Sequence, residues 1–289
     1  MVSGERILAL KVDVDTRRGM EEGVPSLLST LSAASSPAAF FLSFGPDNSG
    51  KAITQLVRNP RFLFKMIRTN APGLYGMKTA LYGTVLKAPM IAKAFPWLCR
   101  EIEARGHEVE LHAWDHRAWQ DTLPRRGERW IREWLDQGLS AYDGCLGHPP
   151  RAFGAPAWLL TEPAVAVLAD SPWEYLSCTR APSPFLLKGT GKVELPSDLP
   201  CLEEVGGPKG AGKILSALSA GGIHVLPVHA EVEGGIWNGA FADILRGARE
   251  LGYRVAPLSE VVAIFKKRNL PERGFRPALL PGRAFPCAV

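Results

Sequence analysis

Three short β-branched runs in this chain end in acids and histidines, and this arrangement constrains the fold more than any other feature of the sequence. Residues 7–12 run into Asp13 and Asp15, residues 107–111 into His112 and His116, and residues 223–228 into His229 and Glu231. Runs of this kind read as strands. In a β/α barrel the reactive side chains gather at the C-terminal ends of parallel strands, so three such ends can converge on one site. Asp13 and Asp15 stand two apart on an extended segment and face the same side, one able to bind a metal and the other a nucleophilic water. His112 and His116 stand four apart, as one helical turn would place them. A carboxylate with two imidazoles is a facial set for a divalent ion that keeps open positions for water and a carbonyl oxygen. Such a set leaves one aspartate and His229 for proton transfer, and the pattern reads as a metallohydrolase.

At 289 residues the chain suits one α/β-barrel domain better than two domains. The pattern predicts strands near 7–12, 38–44, 107–112, 151–155, 173–178, 192–195, 223–228 and 253–256. Helical patterns fall between them, at 24–34, 96–105, 126–145, 161–169, 211–220, 239–250 and 258–268. Strands alternating with helices give parallel pairing. Residues 1–265 are therefore read as the barrel, with 48–100 a helical insertion and 266–289 a basic, mobile tail without periodicity. The five cysteines stand in no metal-like spacing, which argues against a disulfide framework and fits a reducing cytosol. The start of the chain shows no signal-peptide pattern, and no apolar run approaches the roughly 18 residues of a membrane span.

Charge is distributed unevenly. Between Asn48 and Arg100 lie nine Lys or Arg residues and no Asp or Glu, and between Lys266 and Val289 six against Glu272 alone. The 48–100 segment is also apolar, with Phe62, Phe64, Met66, Tyr75, Tyr82, Phe95 and Trp97 among its cations. Basic and apolar side chains interleaved in this way are what an interfacial helix offers to anionic headgroups; a solvated hairpin packed on the barrel is the plainer alternative. No nucleic-acid fold signature accompanies the charge, so nucleic acid is not expected as a partner.

Val12-Asp13-Val14-Asp15-Thr16, His112-Ala113-Trp114-Asp115-His116 and Val228-His229-Ala230-Glu231-Val232-Glu233-Gly234 resemble motifs of the polysaccharide-deacetylase (NodB-homology) superfamily. Within it, residues 7–262 look most like the 4-deoxy-4-formamido-L-arabinose-phosphoundecaprenol deformylases of the polymyxin-resistance pathway. Gly45-Pro46-Asp47-Asn48, Leu74-Tyr75-Gly76 and the nine-residue stretch from His112 to Gln120 carry that likeness. The resemblance implies an incomplete (β/α)7 barrel and one divalent ion (Zn, Mn or Co) on Asp15, His112 and His116. It implies Asp13 as the base and His229 as the acid that protonates the departing sugar nitrogen. Glu231 is expected to orient His229 or touch substrate, Asp115 to partner an imidazole, and Trp114 to line a sugar site, core packing being the alternative for Trp114.

The implied substrate is a polyprenyl-phosphate-linked formamido sugar, met by a cytoplasmic enzyme bound peripherally at the inner face of the inner membrane, with Lys65 and Arg68 as membrane contacts. Two departures stand out. The superfamily's third motif carries an arginine that orients the base, whereas Gly154-Ala155-Pro156-Ala157-Trp158 has none, and Arg180 is the expected substitute. Cys178 stands where the deformylases are expected to carry an aspartate. An N-deacetylase of another amino sugar and a catalytically weak glycolipid-binding relative are the alternatives.

Overall fold

The computed structural model describes residues 5–52 and 79–289. Strand β1 (Arg6–Val14) is the most heavily paired. It runs parallel to β8 (Gly222–His229) along nearly its whole length, and on its other edge to β9 (Arg254–Ala256) and then β2 (Ala39–Ser43). From β2 the parallel order continues through β3 (Glu108–Ala113), β4 (Ala152–Phe153), β5 (Tyr175–Leu176) and β7 (Lys192–Glu194). The sheet ends at β8 on one side and on the other at β6 (Phe185–Leu187) and β10 (Glu272–Arg273), without closing. The result is the curled, incomplete α/β barrel that the family resemblance implies.

The period of two in a strand sets what faces where. Along β1, Leu8, Leu10, Val12 and Val14 join the large core under the helices, while Ile7 and Ala9 join a smaller core inside the barrel. Helix Leu258–Lys266 contributes Leu258, Val261 and Val262 to that inner core. The same inward parity continues through Lys11 and Asp13 toward Asp15. One face thus changes from apolar at the strand's start to charged at its end. In β3 the pattern repeats, with Val109, Leu111 and Ala113 in the outer core and Glu110 and His112 on the other face. Burying a Leu, Ile or Val side chain contributes about 1.5–3 kcal/mol. The outer core and the lower interior therefore supply apolar stability, and the upper interior can hold polar groups.

Three regions differ from the sequence expectation. His112 and His116 are not one turn of one helix: His112 lies near the end of β3, and His116 begins helix His116–Thr122. Asp115 caps that helix, its carboxylate accepting from Ala118 N at 2.9 Å, and such a cap stops the strand and redirects the chain. Of the expected helical insertion, residues 53–78 lie outside the described residues; the described parts form short 3-10 turns at Ser49–Ala52, Thr79–Leu81 and Ala92–Ala94, and helix Pro96–Ala104 follows. The last residues are not a mobile tail. Strands β11 (Pro277–Ala278) and β12 (Cys287–Ala288) pair antiparallel, both β12 residues are buried, and Arg180 N donates to Ala288 O at 2.8 Å. Lacking periodicity, this segment could dock only through tertiary partners that its own sequence does not show.

Candidate active site

Asp15, His112 and His116 converge at the upper rim of β1 and β3, with one ligand atom from each all within 4.8 Å of one another. Asp15 Oδ1 is 3.1 Å from His112 Nε2, and Asp15 Oδ2 is 3.4 Å from His116 Nε2. His112 Nδ1 lies 2.8 Å from the Gly154 carbonyl oxygen and donates to it, which leaves Nε2 as the nitrogen facing Asp15. Gly154 is required there: a Cβ would stand 2.7 Å from the Phe41 ring and 3.2 Å from Lys11 Cε. Burial pushes the His116 imidazole down to about 4, against the opposing charge of Asp15, so it is neutral with a lone pair to offer. Burial alone would raise the Asp15 carboxyl, but His116 and His112 outweigh it and hold the group well below the ordinary carboxylate range.

An anionic oxygen and two imidazoles fit a hard or borderline divalent cation. Asp15 Oδ1 supports the fit directly, since it is buried without a hydrogen-bond partner.

Asp13 lies one inward position below Asp15 and is held by a residue that motif reading passes over. Lys11 is fully buried, and its Nζ donates to both carboxylate oxygens of Asp13, at 2.5 and 2.7 Å. The ammonium also sits 4.7 Å from the Phe41 ring centre and 5.4 Å from that of Trp158. The signal that could have found it is a lysine inside an apolar run, because fully buried lysines occur almost only when paired. Lys11, and not Arg180, is the cation in contact with Asp13. Lys11→Met is expected to lower kcat by roughly two orders of magnitude, within the range a positioned general base contributes, while leaving bound metal unchanged. Single-turnover kinetics with metal analysis reads both quantities, and unaltered kcat would remove Lys11 from the site.

Across the opening, His229 pairs in register with Asp13. Its Nδ1 is 3.2 Å from Glu203 Oε2, and its backbone N–H donates to Glu233 Oε2 at 2.8 Å. Burial would lower the His229 imidazole, but the Cys201 thiol and Glu203 carboxylate beside it raise it well above the ordinary range. Glu231 is buried with Oε2 unpartnered, and burial followed by the charge of Asp15 pushes its carboxyl well up. The group beside the His229 ring nitrogen is therefore Glu203, on a loop without a sequence motif, whereas Glu231 feels both His229 and Asp15. Trp158 forms a wall, its ring edge-on to His229 at 6.0 Å. Ala157 and Trp158 both adopt φ near +54°, a conformation that costs non-glycine residues about 1–3 kcal/mol and persists where surroundings enforce it.

Arg180 holds the loop that carries Glu203. It donates to Ser197 O at 2.7 Å and Leu199 O at 2.9 Å, and it pairs with both oxygens of Glu204 at 2.6 and 2.9 Å. Arg283 reaches the same Glu204 at 3.1 Å and the Ala157 carbonyl at 3.0 Å, tying the C-terminal segment to the back of the site. Burial would raise the Glu204 carboxyl, but Arg180 and Arg283 bring it down to about 2. This pair therefore stabilises the fold above the ordinary value of 4.5, and its contribution is lost as the pH falls toward 2. Arg180→Gln should cost about 3–5 kcal/mol, because it leaves a buried carboxylate with one cation fewer. Denaturant titration measures this, and a loss below about 1 kcal/mol would contradict it.

The remaining sequence-predicted residues have other partners or lie outside the described residues. Cys178 is buried in the outer core, its thiol 3.4 Å from Phe153 O. Asp115 is the helix cap, bonded also by Asn48 Nδ2 at 2.7 Å, rather than an imidazole partner. Trp114 lines a cavity of about 190 Å³ with Trp130, Trp134, Glu133 and Gln137. Lys65 and Arg68 lie outside the described residues.

A family described as polysaccharide deacetylase matches residues 3–175. A protein of Shewanella sediminis named "Probable 4-deoxy-4-formamido-L-arabinose-phosphoundecaprenol deformylase ArnD" is 30% identical over 261 residues, covering 88% of this chain and 85% of its own. A protein of Wigglesworthia glossinidia brevipalpis with the same name is 29% identical over 279 residues, covering 92% of this chain and 96% of its own. Among solved structures, a polysaccharide-deacetylase-type structure from Mycobacterium smegmatis is similar with a TM-score of 0.66 at 19% identity, over 96% of this chain and 97% of that one. A family 4 carbohydrate esterase from Streptomyces lividans reaches 0.51 at 13% identity, over 87% and 92%. At such identities the structural likeness concerns the fold.

Proposed function

This chain belongs to the polysaccharide deacetylase family, and we propose that it removes the N-formyl group from 4-deoxy-4-formamido-L-arabinose carried on undecaprenyl phosphate. It is a hydrolase of linear amide bonds. The observation that carries the reading is the convergence, at neighbouring strand ends, of the Asp15–His112–His116 triad, a Lys11-held Asp13 and a Glu203-backed His229. The choice of formamido sugar and lipid carrier is supported by the names of the two relatives.

Asp15, His112 and His116 would hold the divalent ion. When bound, such an ion supplies a Lewis acid that polarises the amide carbonyl and lowers the pKa of a water. Asp13, fixed at both oxygens by Lys11, takes the proton from the water as its oxygen attacks the formyl carbon. His229, kept protonated by Cys201 and Glu203, gives a proton to the sugar nitrogen as the C–N bond breaks, leaving formate and a free amine. Trp158 and the buried Glu231 line the same opening and restrict water and substrate orientation there.

The test is formate and acetate release from a panel of N-acyl amino sugars, free and on polyprenyl phosphate, with and without a chelator. Chelator-sensitive formate release that prefers the lipid-linked sugar is expected. Preferential acetate release would establish N-deacetylation instead.

Among the described residues no helix is long and apolar enough to cross a membrane. A lipid carrier holds its sugar at the bilayer surface, so the enzyme is proposed to work peripherally at the cytoplasmic face. Of seven exposed large apolar side chains among the described residues, Leu81, Val85, Leu86, Met90 and Trp97 fall together in sequence, interspersed with Lys87 and Lys93. Trp97 is 62% exposed and Val85 78%. Each cation near an anionic surface contributes about 1 kcal/mol within a Debye length. Salt-sensitive sedimentation with anionic vesicles is expected, and Lys65→Glu with Arg68→Glu should raise KM for the lipid-linked substrate far more than for a soluble analogue. Equal effects on both substrates would mean that the segment packs on the barrel instead.

A further inference from the structure

A second group of metal-ligating side chains stands behind the proposed proton donor. Cys201, Glu203 and His229 each place one ligand atom within 4.8 Å of the others. Cys201 is 2% exposed and Glu203 4%. His229 Nδ1 is buried and 3.2 Å from Glu203 Oε2, and the Cys201 thiol lies beside the same ring, so this nitrogen faces the cluster. The loop bearing Cys201 and Glu203 is clamped: Arg180 and Arg283 grip Glu204, and Cys201 N donates to Glu204 Oε2 at 3.2 Å. The three donors are therefore brought together before any ligand arrives, which removes most of the ordering cost of binding.

We propose that Cys201, Glu203 and His229 form a second, inhibitory site for a thiophilic divalent cation, with zinc its natural occupant. Sulfur, nitrogen and oxygen donors in a three-ligand set with one open position are the chemistry of a zinc site, and a thiolate selects zinc over manganese. The Asp15–His112–His116 set has no sulfur, so the preference for zinc over manganese is steeper at the second site. Binding releases the thiol proton to solvent as the Zn–S bond forms, and the His229 Nδ1 proton as the Zn–N bond forms. A cation on Nδ1 stops the imidazole from carrying two protons, and the group can then no longer protonate a leaving nitrogen. Inhibition thus rests on His229 acting as the donor in the proposed reaction, whereas binding does not. The site would couple turnover to free zinc without touching the metal triad.

The test uses full-length protein loaded with one equivalent of manganese and titrated with chelator-buffered zinc, while bound manganese and zinc are counted. The expected result is two bound metal equivalents in total, with or without replacement of manganese at the first site, and a turnover loss of about 100-fold, in the range a general acid contributes. Cys201→Ser, with each protein's turnover scored against its own zinc-free value, should refuse the added equivalent at the same free zinc and show no further loss. Cobalt in place of zinc gives a readout without substrate: a thiolate-to-cobalt charge-transfer band in the near ultraviolet for the wild type, absent in Cys201→Ser. No second equivalent, no thiolate band, or equal zinc inhibition in both proteins would each overturn the proposal. A thiolate band in a protein that hydrolyses none of the formylated sugars would leave the site standing and remove the deformylase reading.

Discussion

His112→Ala is expected to give a folded protein that retains no stoichiometric divalent ion and releases no formate. His112 is 1% exposed, and its ring is set by the Gly154 carbonyl so that Nε2 meets Asp15. Removing it leaves two donors, Asp15 and His116, on separate elements. Loss of an outer-shell partner alone typically costs about 10–100-fold in metal affinity, so loss of the ligand itself should exceed that range. Elemental analysis after gel filtration, read beside turnover, checks both effects. A variant with full metal and ordinary turnover would falsify the ligand assignment. Circular dichroism and a denaturation curve separate metal loss from unfolding, since truncating this buried ring also leaves a small cavity.

Asp13→Asn is expected to keep its metal and lose roughly two to four orders of magnitude in kcat, because an amide cannot take a proton from water. This substitution also removes the carboxylate to which Lys11 donates both of its hydrogen bonds. A buried ammonium left alone costs about 3–5 kcal/mol, so the variant should unfold at lower denaturant than the wild type. Adding Lys11→Met should return part of that stability while the enzyme stays inactive. Such non-additivity marks two groups in direct contact. Equal metal loss in Asp13→Asn would make Asp13 a ligand, and additive stability effects would mean that Lys11 and Asp13 do not interact in solution.

The periodic features of the chain are legible in the sequence. Alternation in 7–12, with acids at 13 and 15, locates the first strand, its inward face and its reactive end, because side-chain direction in a strand follows from counting by two. That same count reaches Lys11, whose charge within an apolar run is the local sign of a buried ion pair. Helix starts are marked by local chemistry as well: Thr161 caps Glu162–Asp170 by accepting from Ala164 N. Cys178 shows the limit of motif matching. Its position relative to a family pattern suggests the site, whereas its alternation with Ser177 and Thr179 places it in the outer core.

The sequence by itself determined the barrel, the three strand ends and the residue types that meet there, since each depends on spacing within one segment. Tertiary structure alone decided which distant group stands behind each of them. Glu203 reaches His229 from a loop without periodicity, held by Arg180 through Glu204, and Arg283 joins that pair from near the chain's end. These partners lie 24 and 79 residues from Glu204 along the chain. Their pairing follows from burial: charges removed from water must find opposite charge, and only the folded barrel determines which ones are within reach.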